Sequence, residues 1–237
     1  MTDRQRIPTI VAMGGGGFMM EPDNPLLDDY VLSLAGVERP RLCLLPTATG
    51  DSDRLIAMFH GAFQDRPVDA GHLKLFGAPR TDIRAYLLSQ DVIYVGGGNT
   101  ANMLAIWRVH GVDRILREAW AQGIVLAGLS AGMICWFEAG VTDSFGPLAA
   151  LPDGLGFLPG SACPHYDGEA ERRPAYQTFV RDGLPPGFAA DDGAALVFRG
   201  GEAPYCVASR PRAACYRVSL QSTEIAEDRL EVRYLGA

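Results

Sequence analysis

Three times in this chain a short apolar run stops at a cluster of glycines. Residues 9–13 lead into Gly14-Gly15-Gly16-Gly17, residues 92–95 into Gly96-Gly97-Gly98, and residues 124–127 into Gly128-Leu129-Ser130-Ala131-Gly132. A fourth apolar run spans 41–46. Such runs are short and rich in Val, Ile or Leu, as strands covered on both faces should be. Between them lie helical candidates at 26–34, 53–63, 81–88, 102–107 and 112–122; in the last, Ile115, Leu116, Ala119 and Trp120 repeat at three and four residues and form one apolar face. Strand, glycine turn and helix in alternation predict an α/β fold around a mainly parallel sheet.

From about Asp191 the pattern changes to closely spaced strands at 194–198, 205–208, 214–218 and 230–234, with Gly200-Gly201 punctuating the first pair as a hairpin would. These are expected to extend the sheet at one edge in antiparallel fashion. The Pro- and Gly-rich segment 147–164 reads as a long active-site connection. There is no internal repeat and no linker long enough to separate domains, so residues 1–237 are expected to form a single domain.

Composition narrows the function classes. The net charge of −7 and the scattered lysines and arginines leave no electrostatic footprint for a phosphate backbone, so nucleic acid is not expected as a partner. No apolar stretch nears the roughly 20 residues of a membrane span, and residues 1–8 lack the apolar core of a signal peptide, so a cytoplasmic protein is expected. The five cysteines are odd in number and form no CxxC pair, with no histidine at ligand spacing. They read as reduced, mostly buried thiols, with neither a disulfide framework nor a metal site, and no cofactor is expected.

The strongest chemical signal is Gly128-Leu129-Ser130-Ala131-Gly132, with a strand before it and a helical run over 131–138 after it. A serine on a tight strand-to-helix turn needs small neighbours because the backbone doubles back on itself. The turn lifts the hydroxyl above the carboxyl edge of the sheet and aims the following N–H groups at negative charge developing on a bound carbonyl. A nucleophilic serine needs a base. Of the four histidines, His60, His72 and His110 read as structural or solvated, whereas His165, in Pro164-His165-Tyr166, closes the long connection where catalytic groups cluster.

The third member should be a carboxylate that orients the imidazole. Asp143, after the Ala139-Gly140 break and between Ser130 and His165 in the chain, is the first choice, with Glu138, Asp191 and Asp192 as rivals. Ser144 is a weaker orienter, since a neutral hydroxyl stabilises imidazolium less than a carboxylate does. The run Gly96-Gly97-Gly98-Asn99-Thr100 lets backbone approach a ligand, and its N–H groups can form the other half of an oxyanion hole. A phosphate cradle is the competing reading, but no Gly-Lys-Ser/Thr follows.

Taken in order, Gly96-Gly97-Gly98-Asn99-Thr100, Gly128-Leu129-Ser130-Ala131-Gly132 and Pro164-His165-Tyr166 resemble the peptidase E family, the aspartyl dipeptidases among the S51 serine peptidases, related in fold to class I glutamine amidotransferases and cyanophycinases. The resemblance extends more weakly to Asp191-Asp192-Gly193. It implies a three-layer, amidotransferase-like (flavodoxin-like) sandwich, Ser130 as nucleophile, His165 as base, and oxyanion donors from the Gly97-Gly98 segment and Ala131. Two departures stand out. The family's aspartate follows a Thr-Asn pair, whereas Thr142-Asp143-Ser144 offers the carboxylate one place early and puts Ser144 where the acid would align. The family's arginine for an N-terminal aspartate falls here on Glu171, with Arg172 and Arg173 next.

The expected function is therefore a serine peptidase acting on small peptides through a Ser-His-acid triad and an acyl-enzyme, working alone or as a homodimer. The alternatives are an esterase or amidase with the same elbow, and a non-catalytic member that binds a small metabolite. Either Arg172 or Arg173 turns inward to pair with an acidic substrate side chain, or both lie on the solvated first turn of a helix that has Pro174 near its start.

Overall fold

A computed structural model describes residues 6–77 and 82–236. Five strands run parallel in one sheet: β1 (Thr9–Met13), β2 (Arg41–Leu45), β3 (Asp69–His72), β4 (Val92–Val95) and β5 (Val125–Leu129). With β10 (Ala194–Arg199), β11 (Tyr205–Ala208) and β14 (Val232–Tyr234), the full order is β14-β11-β10-β1-β5-β4-β2-β3. Only β10 runs against the rest. Because β10 is reversed, its beginning lies beside the carboxyl ends of β1, β5 and β4. Met13 pairs with both Leu129 and Ala195. The glycine clusters therefore gather on one edge, the carboxyl edge of the parallel strands.

Helices cover both faces. On one lie α1 (Gly17–Met20), α2 (Leu26–Ser33) and α3 (Asp53–Phe63), packed with Val11, Met13, Leu44 and Ala127. On the other lie α4 (Ile83–Leu88), α5 (Thr100–His110), α6 (Val112–Ala121) and α7 (Ala131–Ile134), packed with Ile10, Cys43, Ile93 and Leu126. Alternate residues of one strand thus serve opposite cores, which is why β1, β4 and β5 are buried at every position. Ser52, Asp82 and Asn99 cap α3, α4 and α5 with side-chain acceptors. The expected start of α4, at residue 81, falls outside the described residues.

A second, six-stranded sheet is not anticipated by the sequence pattern. It comprises β6 (Phe137–Thr142), β7 (Ala149–Leu151), β8 (Leu158–Cys163), β9 (Gly187–Ala190), β12 (Cys215–Gln221) and β13 (Glu224–Arg229), in the order β13-β12-β9-β8-β6-β7. Four expectations change. The run at 230–234 does join the edge of the first sheet, as β14, but parallel to β11 instead of antiparallel. The helix after the elbow ends at Ile134 instead of 138. Segment 147–164 holds two strands instead of one loop. The run at 214–218 joins this second sheet instead of the edge of the first. Phe137, Leu158, Ala162 and Cys215 pack into the core that also holds α4 to α7, while α8 (Arg172–Arg181) covers the other face through Tyr176 and Val180.

Candidate active site

Ser130 follows β5 directly and sits at φ 55°, ψ −111°, outside the regions a non-glycine residue ordinarily occupies. Close packing holds the turn. A Cβ on Gly128 would lie 2.5 Å from the Gly132 carbonyl oxygen, and one on Gly132 would lie 2.5 Å from that of Val95. Both glycines are therefore steric requirements of the elbow, which is why the spacing of the motif carries information. The Ser130 carbonyl accepts from Met133 and Ile134 N–H at 2.8 and 3.0 Å, starting α7 at once. The Ala131 N–H has no acceptor among the described residues.

Neighbouring carbonyls at the end of β1 anchor both Ser130 and His165. Ser130 N–H donates to Met13 O at 3.1 Å, and His165 N–H donates to Gly14 O at 3.3 Å. His165 lies just past β8 and also has a positive φ, 52°. The two strained residues are thus anchored to consecutive carbonyls of one strand end, although β5 and β8 belong to different sheets.

The imidazole is oriented by Asp192, whose Oδ1 lies 2.6 Å from His165 Nδ1 with both side chains largely buried. The hydrogen bond with His165 is the main reason the Asp192 carboxyl is held below the usual carboxylate range, against the opposing effect of burial. An ionised carboxylate can only accept, so Nδ1 carries the proton and Nε2 is left as the basic nitrogen. Asp192 is fixed in turn: its N–H donates to Asp167 Oδ1 at 2.8 Å, and its backbone bridges to Gly15.

Asp143, the first choice from the sequence, makes no hydrogen bond to the imidazole among the described residues. Asp143 lies in the turn after β6, 62% exposed, with Oδ2 3.9 Å from Arg172 Nη2. Proximity in chain order favours it, and β6 runs parallel to β8 with Gly140 opposite Ala162, but the exposed Asp143 side chain turns to Arg172, while β9, parallel to β8 on its other side, leads to Asp192. The remaining rivals are engaged elsewhere. Glu138 accepts from Gly160 N–H at 2.8 Å. Asp191 accepts from Ala214 N–H at 2.9 Å, and burial pushes its pKa up to about 6. The Ser144 hydroxyl bonds Thr142 and the Ala101 N–H.

The second glycine run closes the opposite side. A Cβ on Gly97 would meet the Ser130 Cβ at 3.3 Å, so this loop abuts Ser130. Asn99 caps α5 through Asn102 N–H at 2.9 Å and donates from Nδ2 to the Ser144 carbonyl at 3.0 Å, so its role is to fix the loop. Arg172 is turned inward, 2% exposed; it donates to Glu169 Oε2 at 2.6 Å and to the Val141 carbonyl at 3.1 Å. Arg173 instead pairs with Glu227 and lies over the rings of Tyr166 and Tyr216. His60 and His72 bond each other at 3.0 Å at the end of β3, the outermost strand of the sheet. All five cysteines are buried and free, as expected.

The model of peptidase family S51 matches residues 10–205. The chain is 55% identical over 228 residues, 96% of its length and 99% of the relative's, to "Uncharacterized peptidase YgaJ" of Bacillus subtilis (strain 168). It is 30% identical over 128 residues to peptidase E of Streptomyces coelicolor, 53% of this chain and 51% of that one. Among solved structures, a peptidase from an acI-B1 actinobacterium superposes with TM-score 0.71 at 18% identity over 94% of this chain and 96% of its own. A putative peptidase E from Listeria monocytogenes EGD-e gives 0.63 at 18% over 95% and 100%. At that identity the structures speak to the fold alone, and they agree with the α/β architecture described. No helix among the described residues is long and apolar enough to cross a membrane. The match over residues 10–205 and the full-length likeness make this chain a member of peptidase family S51, a serine-type peptidase.

Proposed function

We propose that the protein hydrolyses small peptides through an acyl-enzyme, with Ser130 as nucleophile, His165 as general base and acid, and Asp192 as the carboxylate that orients the histidine. The observation that carries this reading is the His165–Asp192 hydrogen bond beside the strained elbow, with both strained residues held by Met13 and Gly14. Ser130 Oγ attacks the scissile carbonyl carbon while its proton passes to His165 Nε2. The carbonyl oxygen becomes an oxyanion, which accepts from Ala131 N–H and from an amide of the Gly97-Gly98 segment. Collapse breaks the C–N bond, and the leaving amine takes the proton from Nε2. Water then attacks the acyl ester by the same route in reverse, giving the acid product and free Ser130.

The engagement of Arg172 with Glu169 and the Val141 carbonyl supports a broad choice of first residue instead of a strict rule for aspartate. The test is labelling with an active-site fluorophosphonate alongside turnover of a dipeptide panel. Ser130→Ala and His165→Ala should each abolish labelling and lower turnover by several orders of magnitude with the fold intact. Labelling that survives in Ser130→Ala, or neither labelling nor turnover by the native enzyme, overturns the reading.

A further inference from the structure

The amides of the second glycine run can be accounted for one by one. Gly96 N–H donates to the Leu45 carbonyl at 3.2 Å, and Asn99 N–H to the Ala48 carbonyl at 2.8 Å. Gly97 N–H donates to a side chain, the thioether of Met19, at 3.3 Å. Gly98 N–H has no acceptor among the described residues, and Gly98 is exposed while Gly96 and Gly97 are buried. The run therefore offers one unpaired amide at its exposed point, next to a glycine that touches Ser130.

Nothing in the sequence of three glycines selects that arrangement. A peptide unit between glycines can rotate at little steric cost, and a rotated unit would aim a carbonyl where an oxyanion donor is needed. A buried N–H left unpaired would itself favour such a rotation. Met19 opposes it. The residue lies near the end of the short α1 that grows out of the first glycine run, and it packs half-buried with the apolar cluster that includes Leu55 and Phe18. Its sulfur is a weak but adaptable acceptor placed over Gly97. Met20, next in the chain, holds the first run in the same way, its sulfur accepting from Gly16 N–H at 3.3 Å.

We propose that Met19 is a positioning residue of the oxyanion hole: its thioether fixes the Gly97 amide and leaves Gly98 N–H as the donor that faces the substrate carbonyl. This rests on the serine-peptidase reading of Ser130. The test compares kcat, KM and the rate of fluorophosphonate labelling in the native enzyme, Met19→Leu and Met19→Gln, with Met58→Leu, on the exposed side of α3, as a control for methionine replacement. Leucine keeps the volume and removes the acceptor, so kcat and labelling should both fall about ten-fold with KM within about two-fold and an unchanged Tm. Glutamine restores an acceptor oxygen and should recover some of the rate. A role in packing alone predicts the opposite order, because an amide suits an apolar site less than leucine does. Labelling of Met19→Leu at the native rate, or a rate in Met19→Gln at or below that of Met19→Leu, overturns the proposal while leaving Ser130 in place. Labelling that survives in Ser130→Ala overturns both.

Discussion

Asp192 reaches His165 from 27 residues further along the chain and meets it at 2.6 Å, Oδ1 to Nδ1. The expected consequence is a wide separation between two amide substitutions. Asp192→Asn keeps the shape but can present an N–H to Nδ1, favouring the wrong tautomer, and should lower kcat by about three to four orders of magnitude. Asp143→Asn, at an exposed turn, should stay within about three-fold of native. Steady-state turnover of both variants on one dipeptide decides the matter; the reverse ranking would restore Asp143 as the orienting acid.

Substrate choice gives a further comparison. With Arg172 committed to Glu169 and the Val141 carbonyl, dipeptides differing only in their first residue should be cleaved with kcat/KM values within about ten-fold of one another. Arg172→Ala should lower Tm, because it leaves the Val141 carbonyl and Glu169 without their partner. A strong preference for Asp-X that collapses in Arg172→Ala, with little change in Tm, would show instead that the guanidinium reads the substrate.

A third expectation concerns pH and a buried pair that the chemistry does not use. Asp28 is 1% exposed and accepts from the Tyr94 hydroxyl at 3.0 Å, and burial pushes its pKa from 3.8 up to about 6. A carboxyl whose folded pKa is raised favours the fold fully below the unfolded value, and that contribution is lost as pH rises through the folded value. Ionised Asp28 should therefore cost roughly 2–3 kcal/mol above pH 6 relative to pH 4. Replacing it by asparagine should raise Tm relative to native at pH 7.5 and reduce or reverse that gain near pH 4.5. Thermal melts of the two proteins across that range measure the effect; a difference independent of pH would mean that Asp28 does not titrate in the fold.

The regions of the molecule that the sequence announces are those fixed by local sterics. Gly128 and Gly132 flank Ser130 because nothing larger fits against Gly132 O and Val95 O, so the elbow is visible as spacing. The parallel strands show as apolar runs because both faces of β1, β4 and β5 are covered. Asp192 carries no such mark. It is one of four acidic residues open as the third member, and the long-range pairing of β9 with β8, with the bridge from Asp192 to Gly15, brings it to the histidine. The second sheet is hidden for a related reason. Pro159 and Gly160 within β8 read as breakers, yet the pairing of β8 with β6 shifts register between Phe137 and Ala139, which absorbs the irregularity. Gly160, at φ 83°, lies where a Cβ would be 2.3 Å from the Pro186 carbonyl oxygen, so the glycine serves close strand packing there.

The placement of Ser130 after a strand of the first sheet, and of His165 and Asp192 after β8 and β9 of the second, has a bearing on how the enzyme comes to life. While the chain is emerging during synthesis, the elbow and its glycine amides can form from the first 140 or so residues, but the proposed base, His165, and its partner Asp192 join them only when about fifty more have been added and folded against β1. A nascent or partly opened molecule thus carries a serine with its ordinary, weak reactivity. On the proposed reading of His165 as base, hydrolytic power arrives only with the docking of one sheet on the other, which would keep the protein harmless to its neighbours, and to itself, until its fold is nearly finished.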